Sequence, residues 1–434
     1  CAVGPPREVW MSLIGWLYPV RIRIVLTFFG TPFILFAKLR WISLDGGTID
    51  FNRRALSLCT AEALKHRSTR MVPFRWAITS AGKIAADFAH AVRQLEGHEV
   101  VAVAARSEAA AREFCARHAR GAAAYGGYEA MFRCDRHGAD ACYVATRPDS
   151  HRALCERLIA RRVPTLCEKP LATSVDDVAA LYAAAAASRT FLMEGVWTRC
   201  FPATAKAREL LRGGAIGDVV AVQAEFGYAI ANGCPDGVRG SAATGGMGRD
   251  IGVYLAEKAL LAFDSRDYDL ADARGVAVLG RGDGVDLTVA ASARMVGRDP
   301  KRRGGVASLL WTGQCDTPEV CAVLGTAGSL RFAATHHTPR TLEVTTRTSR
   351  TASRTEVLDF PEPGDDGAHR WNYPGSISLQ YEAASVARAV RAGAVEAPEW
   401  THADSLAAHR IVERVRDQCY APTADVDAAK PGDF

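Results

Sequence analysis

No C-x-x-C pair occurs among the twelve cysteines, and no cysteine–histidine cluster has metal-ligand spacing. Zinc ribbons and dithiol redox motifs are therefore not expected, and neither is a metal site. Cys142 and Cys167 lie inside apolar runs and read as small buried hydrophobes, which points to a reducing, cytoplasmic setting. No Lys/Arg-rich run with interleaved aromatics is present, and the formal net charge is only +5 over 434 residues. Nucleic acid is excluded as a partner on that footprint. No clean apolar stretch reaches the ~20 residues of a spanning helix. The longest, Ile24–Ala37, sits within Val9–Leu39, which Pro19, Arg21, Arg23 and Pro32 interrupt. Residues 1–70 are thus expected to be an extension: a targeting segment, an anchor or a stretch outside the fold, touching membrane only if residues 9–39 are retained. The opening residue, Cys1, marks a processed or incomplete chain, and Met71 before Pro73 reads as a domain start. No internal repeat is found.

What is present is a chain 48% hydrophobic and 23% charged, long enough for two domains and a tail. From Arg75 short apolar strands alternate with helices. Trp76–Ser80, Glu99–Ala105, Ala141–Ala145, Val163–Cys167 and Thr190–Met193 read as strands. Ile84–Leu95, Glu108–His118, His151–Arg161 and Val175–Ser188 read as helices. This alternation predicts a Rossmann-type, doubly wound parallel sheet over residues 71–195. After Trp197 strand candidates dominate: Val219–Phe226, Val285–Ala291, Gly305–Trp311, Glu319–Leu324, Leu330–Ala333 and Leu342–Thr346. An α+β domain with an open, mostly antiparallel sheet is predicted over 196–420, with helices Tyr381–Arg391 and Asp404–Arg416 near its end. Residues 421–434 form a tail.

The turn after the first strand, Ser80-Ala81-Gly82-Lys83-Ile84, carries one glycine where a full dinucleotide fingerprint has three. Gly82 still allows close backbone approach to a pyrophosphate at the following helix N-terminus. The second strand ends in Arg106-Ser107 rather than an acidic residue. A guanidinium beside a hydroxyl suits a ribose 2′-phosphate, so NADP is expected over NAD. Thr146 and His151, where the third strand gives way to a helix, are candidate wall residues, with an N-cap role for Asp149 or Ser150 the structural alternative. Farther on, Glu168-Lys169-Pro170 and Asp250-Ile251-Gly252-Val253-Tyr254 supply a lysine, an aspartate and a tyrosine from two separate segments. Asp250 and Tyr254 share a face if that segment is helical. Such a set suits proton movement on a hydroxyl group.

The segments RWAITSAGKIAADF, VVAVAARS, AYGGYEAMF, LCEKPLA, FLMEGVWTRCFPA, GAIGDVVAVQAEFG, TGGMGRDIGVY and VLGTAGSL follow one another in an order that resembles the glucose–fructose oxidoreductase/inositol dehydrogenase superfamily. The resemblance runs from about Arg75 to about Tyr420. Within it the chain is similar to the dimeric trans-1,2-dihydrobenzene-1,2-diol dehydrogenases, which also act as NADP-dependent D-xylose 1-dehydrogenases. The E-K-P triplet marks the superfamily; FLMEGVWTRCFP with DIGVY points to the branch. The resemblance implies Lys169, Asp250 and Tyr254 as catalytic residues, with Tyr254 the general acid/base and its pKa lowered by the neighbouring ammonium. It puts Ser80, Gly82, Lys83, Ile84, Arg106, Ser107, Tyr143, Thr146, His151, Glu168 and Lys169 around NADP. Trp197, Arg199 and Phe201 would form the substrate pocket. It further implies a homodimer acting on a small cyclic polyol.

Two departures stand out. Where the family is apolar before the aspartate, this chain has Gly245-Gly246-Met247-Gly248-Arg249, and an arginine beside Asp250 can pair with it or admit water. The Arg/Lys-rich stretch Gly297–Gly304 reads as an insertion. Arg249 and the thin glycine fingerprint leave one alternative, a catalytically impaired NADP(H)-binding relative that acts as a sensor or structural protein.

Overall fold

The computed structural model describes residues 72–229, 245–280 and 284–420, with four strands between residues 8 and 49. The chain divides into two compact units, 1–71 and 72–434. In the first, β1 (Glu8–Trp10), β2 (Ile22–Leu26), β3 (Ala37–Ile42) and β4 (Thr48–Ile49) pair antiparallel in that order. Paired strands thus stand in the segment read as an extension, whose remaining residues lie outside the described ones. No helix among the described residues is long and apolar enough to cross a membrane. The tail from Ala421 also lies outside the described residues.

The second unit opens with the predicted parallel sheet. Strands β5 (Phe74–Thr79), β6 (His98–Ala105), β7 (Ala123–Gly126), β8 (Ala141–Val144), β9 (Thr165–Glu168) and β10 (Leu192–Gly195) run in the order β10-β9-β8-β5-β6-β7. The chain winds outward from β5 to β7, returns to β8 and winds the other way. The switch point between β5 and β8 is where ligands of open α/β sheets bind, at the strands' carboxyl ends. Helices α1 (Lys83–Arg93), α2 (Glu108–His118), α3 (Tyr128–Phe132), α4 (Pro148–Ala160) and α5 (Val175–Ser188) connect the strands. Val100 to Ala105 of β6 pack against helices, which is why that stretch is uniformly apolar.

The second sheet has eight strands in the order β12-β13-β14-β11-β15-β16-β17-β18, with β11 and β14 parallel and the other pairs antiparallel. β11 (Val219–Gly227), β13 (Asp286–Gly297), β14 (Gly305–Thr312), β15 (Cys321–Gly325), β16 (Gly328–Phe332) and β17 (Thr341–Arg347) correspond to predicted strands. β12 (Tyr268–Leu279), β18 (Ser353–Asp359) and β7 carry too little apolar alternation to be read in advance. Gly297–Gly304 joins β13 to β14 and is pinned by Arg298–Asp269 at 2.9 Å and Arg302–Asp267 at 3.2 Å.

One face of this sheet packs on helix α8 (Gly252–Ala262), all of whose residues are buried, and α8 in turn packs on α10 (His402–Tyr420). Leu255, Ala256 and Ala259 of α8 join Trp311, Phe332 and Val323 in the core. Burial of one large apolar side chain contributes about 1.5–3 kcal/mol, so this layer fixes α8 firmly. The other face leaves Val220, Val306, Leu310 and Val276 exposed. Short helices α6 (Pro202–Arg212) and α7 (Met247–Asp250) and the helix α9 (Leu379–Arg391) complete the unit.

Candidate active site

Two buried carboxylates set the site from behind. The segment after β9 turns at Pro170, and the next amide, Leu171 N–H, donates to Glu194 Oε1 at 2.9 Å. Glu194 has no exposure, and it also accepts from Ser405 Oγ, Trp400 Nε1 and His409 Nε2. On the opposite wall Asp286, equally buried, accepts from Gly248 N–H at 2.6 Å, Trp311 Nε1 at 3.1 Å and Tyr420 Oη at 2.7 Å. Glu194 thus fixes the Lys169 segment, and Asp286 fixes α7 and Asp250.

Between them the three residues read as catalytic meet. Lys169 Nζ donates to Asp250 Oδ1 at 3.1 Å and to the Asp250 carbonyl at 2.5 Å, and it stands 5.3 Å from the Tyr254 ring centroid. Asp250 ends α7 and Tyr254 lies in the first turn of the buried α8, with Ile251 at the break. The two therefore share a side without forming one continuous helix. Tyr228, just beyond β11, donates its hydroxyl to Asp250 Oδ2 at 2.5 Å.

Tyr254's pKa runs against the expectation from its neighbour. Burial raises it well above the ordinary tyrosine value, and the carboxylates of Glu168, Asp250 and Glu382 push the same way. The Lys169 ammonium does not reverse this because it is engaged by Asp250. Tyr254 therefore holds its proton at neutral pH.

Around this cluster stands an aromatic wall. The His337 ring stacks on Phe226 at 4.4 Å and lies 5.8 Å from Tyr254 and 6.5 Å from Trp197. His337 Nδ1 is 2.9 Å from Glu319 Oε2. Tyr228, Phe226 and His337 escaped the sequence reading because a strand end and an isolated His-His pair carry no motif.

Other predicted residues fall elsewhere. Arg199 is 3% exposed, 2.9 Å from Glu257 and stacked over Trp400. Phe201 is buried behind Trp197, edge-on at 5.8 Å. Tyr143 and His151 have no exposed surface. Tyr143 stacks on Phe88 and donates to Glu168 Oε1 at 2.5 Å, while burial raises the pKa of Glu168. His151 sits between the carbonyls of Pro170 at 2.8 Å and Thr146 at 3.0 Å. Burial lowers its pKa, so the neutral ring donates to only one of them. Both residues shape the pocket from beneath rather than line it. Arg249 Nη2 donates to the Thr173 carbonyl at 2.6 Å, and burial together with Arg416 lowers its pKa to about 10.

The remaining predicted coenzyme residues are at the carboxyl edge of the parallel sheet. Ser80 takes φ +106°, a conformation that favours glycine, and its Oγ accepts from Gly82 N–H at 3.1 Å. Ala81, Gly82 and Lys83 are exposed, with Ile84 half-buried behind them. α1 has neither a side-chain cap nor an acidic residue in its first turn. Its free N–H groups and positive dipole end are therefore open to an anion, which fits a pyrophosphate. By contrast Ser107 caps α2 through Ala110 N–H, leaving Arg106 exposed at the end of β6. Thr146 Oγ1 accepts from Ser150 at 2.8 Å.

A parallel sheet with an open helix N-terminus at its switch point, and a lysine at the end of one of its strands paired with an aspartate beside a tyrosine from the region that follows, defines a nicotinamide-nucleotide-binding oxidoreductase. Comparison with known proteins gives the family. Residues 74–196 match the oxidoreductase family with an NAD-binding Rossmann fold, and residues 204–331 match the GFO/IDH/MocA C-terminal domain. The chain belongs to the GFO/IDH/MocA oxidoreductase family. It is 34% identical to a trans-1,2-dihydrobenzene-1,2-diol dehydrogenase of Danio rerio and 30% identical to that of Homo sapiens; each match covers 79% of this chain and 96% of the relative. Among solved structures it shares its fold with KijD10, a 3-ketoreductase from Actinomadura kijaniata in complex with NADP and TDP-benzene (TM-score 0.63, 24% identity, 80% of this chain and 98% of that one). An oxidoreductase from Agrobacterium radiobacter in complex with NAD+, L-tartaric acid and magnesium is similar too (TM-score 0.65, 19% identity, 80% and 96%).

The Glu194 network carries a pH prediction. Burial opposes its ionisation, but the His409 charge and the hydrogen bonds from His409, Ser405 and Leu171 outweigh that and lower its pKa. A depressed carboxylate pKa stabilises the fold above the unfolded value, about 4.3, and that stabilisation is lost as pH falls through the folded value. Glu194→Gln should therefore cost about 1–3 kcal/mol at neutral pH. In urea melts the gap from the native protein should close at acid pH; a gap constant down to strongly acid pH would reject the role.

Proposed function

We propose that the protein is an NADP-dependent dehydrogenase of cyclic polyols, converting D-xylose to D-xylono-1,5-lactone or trans-1,2-dihydrobenzene-1,2-diol to catechol. The observation that carries this reading is the meeting of Lys169, Asp250 and Tyr254 beneath the rings of Trp197, Phe226 and His337. Flat apolar walls favour the face of a six-membered ring, and the charged floor takes its hydroxyls. The names of the curated relatives support the dihydrodiol substrate.

Residues 71–195 would bind the coenzyme and residues 196–420 the substrate, with 1–70 and 421–434 outside both. The coenzyme, when bound, supplies the hydride acceptor. The α1 N-terminus with Ser80, Gly82, Lys83 and Ile84 would hold its phosphates. Lys169, held by Asp250, orients the substrate hydroxyl, and Tyr254 exchanges its proton. Tyr228 keeps Asp250 in place. The test is coenzyme reduction followed by near-ultraviolet absorbance with NADP and a panel of aldoses and dihydrodiols. Turnover supports the reading. Coenzyme binding without turnover of any substrate rejects it in favour of the sensor alternative.

Coenzyme choice rests on Arg106, exposed where a 2′-phosphate would lie. Arg106→Asp should lower kcat/KM with NADP by at least ~10-fold and spare or improve NAD, because a phosphate-binding fork is replaced by a like charge. An unchanged NADP/NAD ratio would reject that assignment. The apolar open face of the second sheet, with Val220, Val306 and Leu310, would pair with a second copy.

A further inference from the structure

Three histidines from three separate segments converge away from the site described above. His90 lies on α1, His118 ends α2, and His369 belongs to the loop before α9. One ring nitrogen of each lies within 4.8 Å of those of the other two. His90 Nε2 and His118 Nδ1 stand 3.1 Å apart. Two imidazoles on one tetrahedral zinc, each about 2.0–2.1 Å from the metal, have their nitrogens about 3.3 Å apart. His369 Nε2 lies 2.9 Å from Asp87 Oδ1, whose side chain is wholly buried. A carboxylate on one ring nitrogen fixes the tautomer, leaves the lone pair on the other and raises its basicity.

We propose that His90, His118 and His369 form a binding site for a divalent transition-metal ion of the zinc class, with Asp87 orienting His369. Neutral imidazole suits zinc, copper and nickel, and three protein ligands leave a fourth position for water. His369 now stacks on His90 at 3.8 Å and 3°. Sharing an ion requires one of those rings to turn about its Cβ–Cγ bond. Arg93 Nη2 approaches His90 Nδ1 at 3.5 Å, the limit of a hydrogen bond, and is held at 2.8 Å by Asp366, so a tautomer change at His90 costs little. Asp87 also accepts the backbone N–H groups of Asn372 and Tyr373. The ion would therefore staple the 369–373 segment onto the first coenzyme-domain helix. The three histidines share no local spacing, so no sequence motif marks them.

The test uses the full chain, stripped with chelator and titrated with Zn2+ and Co2+, with metal content, Co2+ visible absorption and thermal midpoint as readouts. One equivalent should bind, give the visible band of imidazole-bound Co2+ and raise the midpoint. His118→Gln and His369→Gln, each checked by circular dichroism, should weaken binding by at least ~10-fold, and Asp87→Asn by ~10–100-fold. His137→Gln should change nothing. Absence of stoichiometric binding, or equal binding by the His118 and His369 variants, would overturn the proposal.

Discussion

Tyr254→Phe should bind coenzyme as the native protein does and turn substrate over about 10²–10⁴-fold more slowly, the range lost when a positioned acid/base group is removed. The ring is buried and packs at 5.7 Å against Phe226, so removal of one oxygen leaves the fold intact. Lys169→Met should fall comparably, for a different reason. Its Nζ bridges the Asp250 carboxylate and carbonyl, so its loss frees Asp250 and removes the charge that orients a hydroxyl. The two variants separate by pH. Tyr254 is held protonated by burial and by Glu168 and Asp250. Only its deprotonated form can accept a proton from an alcohol, so native oxidation should climb with pH and still be rising near the ordinary tyrosine value of about 10. Carbonyl reduction, which needs the protonated form, should show no such climb. Tyr254→Phe should flatten the oxidation profile, whereas Lys169→Met should keep its slope at a lower level. Native-like turnover by either variant, or a flat native profile, would remove the assigned roles. Coenzyme affinity, read by fluorescence quenching, should stay within a few-fold throughout.

How much of this was legible in advance depended on how local the signal was. The winding of β5 to β10 was readable because each buried strand announces itself by an apolar run and each helix by its period. Lys169, Asp250 and Tyr254 were readable because they sit in short motifs. Their charges were not. The expected depression of Tyr254's pKa failed because it considered the ammonium alone, while the fold brings in burial, Glu168 and Glu382 from distant segments. The surroundings of Arg199 were hidden for a similar reason. Its motif lies between β10 and α6, but its partner Glu257 comes from the buried face of α8, and only tertiary contact makes that pair. Tyr228 enters the site just past the end of β11 and His337 from the turn between β16 and β17, and tertiary folding rather than sequence spacing decides that they meet. Glu194 and Asp286 were invisible as supports, since a lone acidic residue in an apolar strand carries no sign of the donors that will surround it.

Asp286 leads to the second large effect. Gly246→Ala should destabilise the protein by about 2–6 kcal/mol and take most of the activity with it, the sum of a backbone cost and the loss of one or more hydrogen bonds. Gly246 has φ +94° and ψ 158°, a conformation open essentially to glycine alone, and a side chain there costs about 1–3 kcal/mol. An added Cβ would stand 2.0 Å from Asp286 Oδ1 and 3.2 Å from Tyr420 Oη. Neither atom belongs to a free side-chain end: the carboxylate is wholly buried and accepts from Gly248, Trp311 and Tyr420, so moving it leaves donors unsatisfied at about 1–3 kcal/mol each. If α7 moves instead, Asp250 at its end leaves Lys169 and Tyr228. Gly248→Ala is the matched control. Gly248 sits inside α7, and its Cβ would meet Asp286 Oδ2 and Arg416 Cδ at 3.2 Å, a contact that a few tenths of an ångström relieve. It should cost about 1 kcal/mol or less. Urea melts and steady-state kinetics on the pair decide the matter. The glycines before Asp250 then act as a fitted seat over a buried carboxylate, and equal behaviour of the two variants would show that they do not.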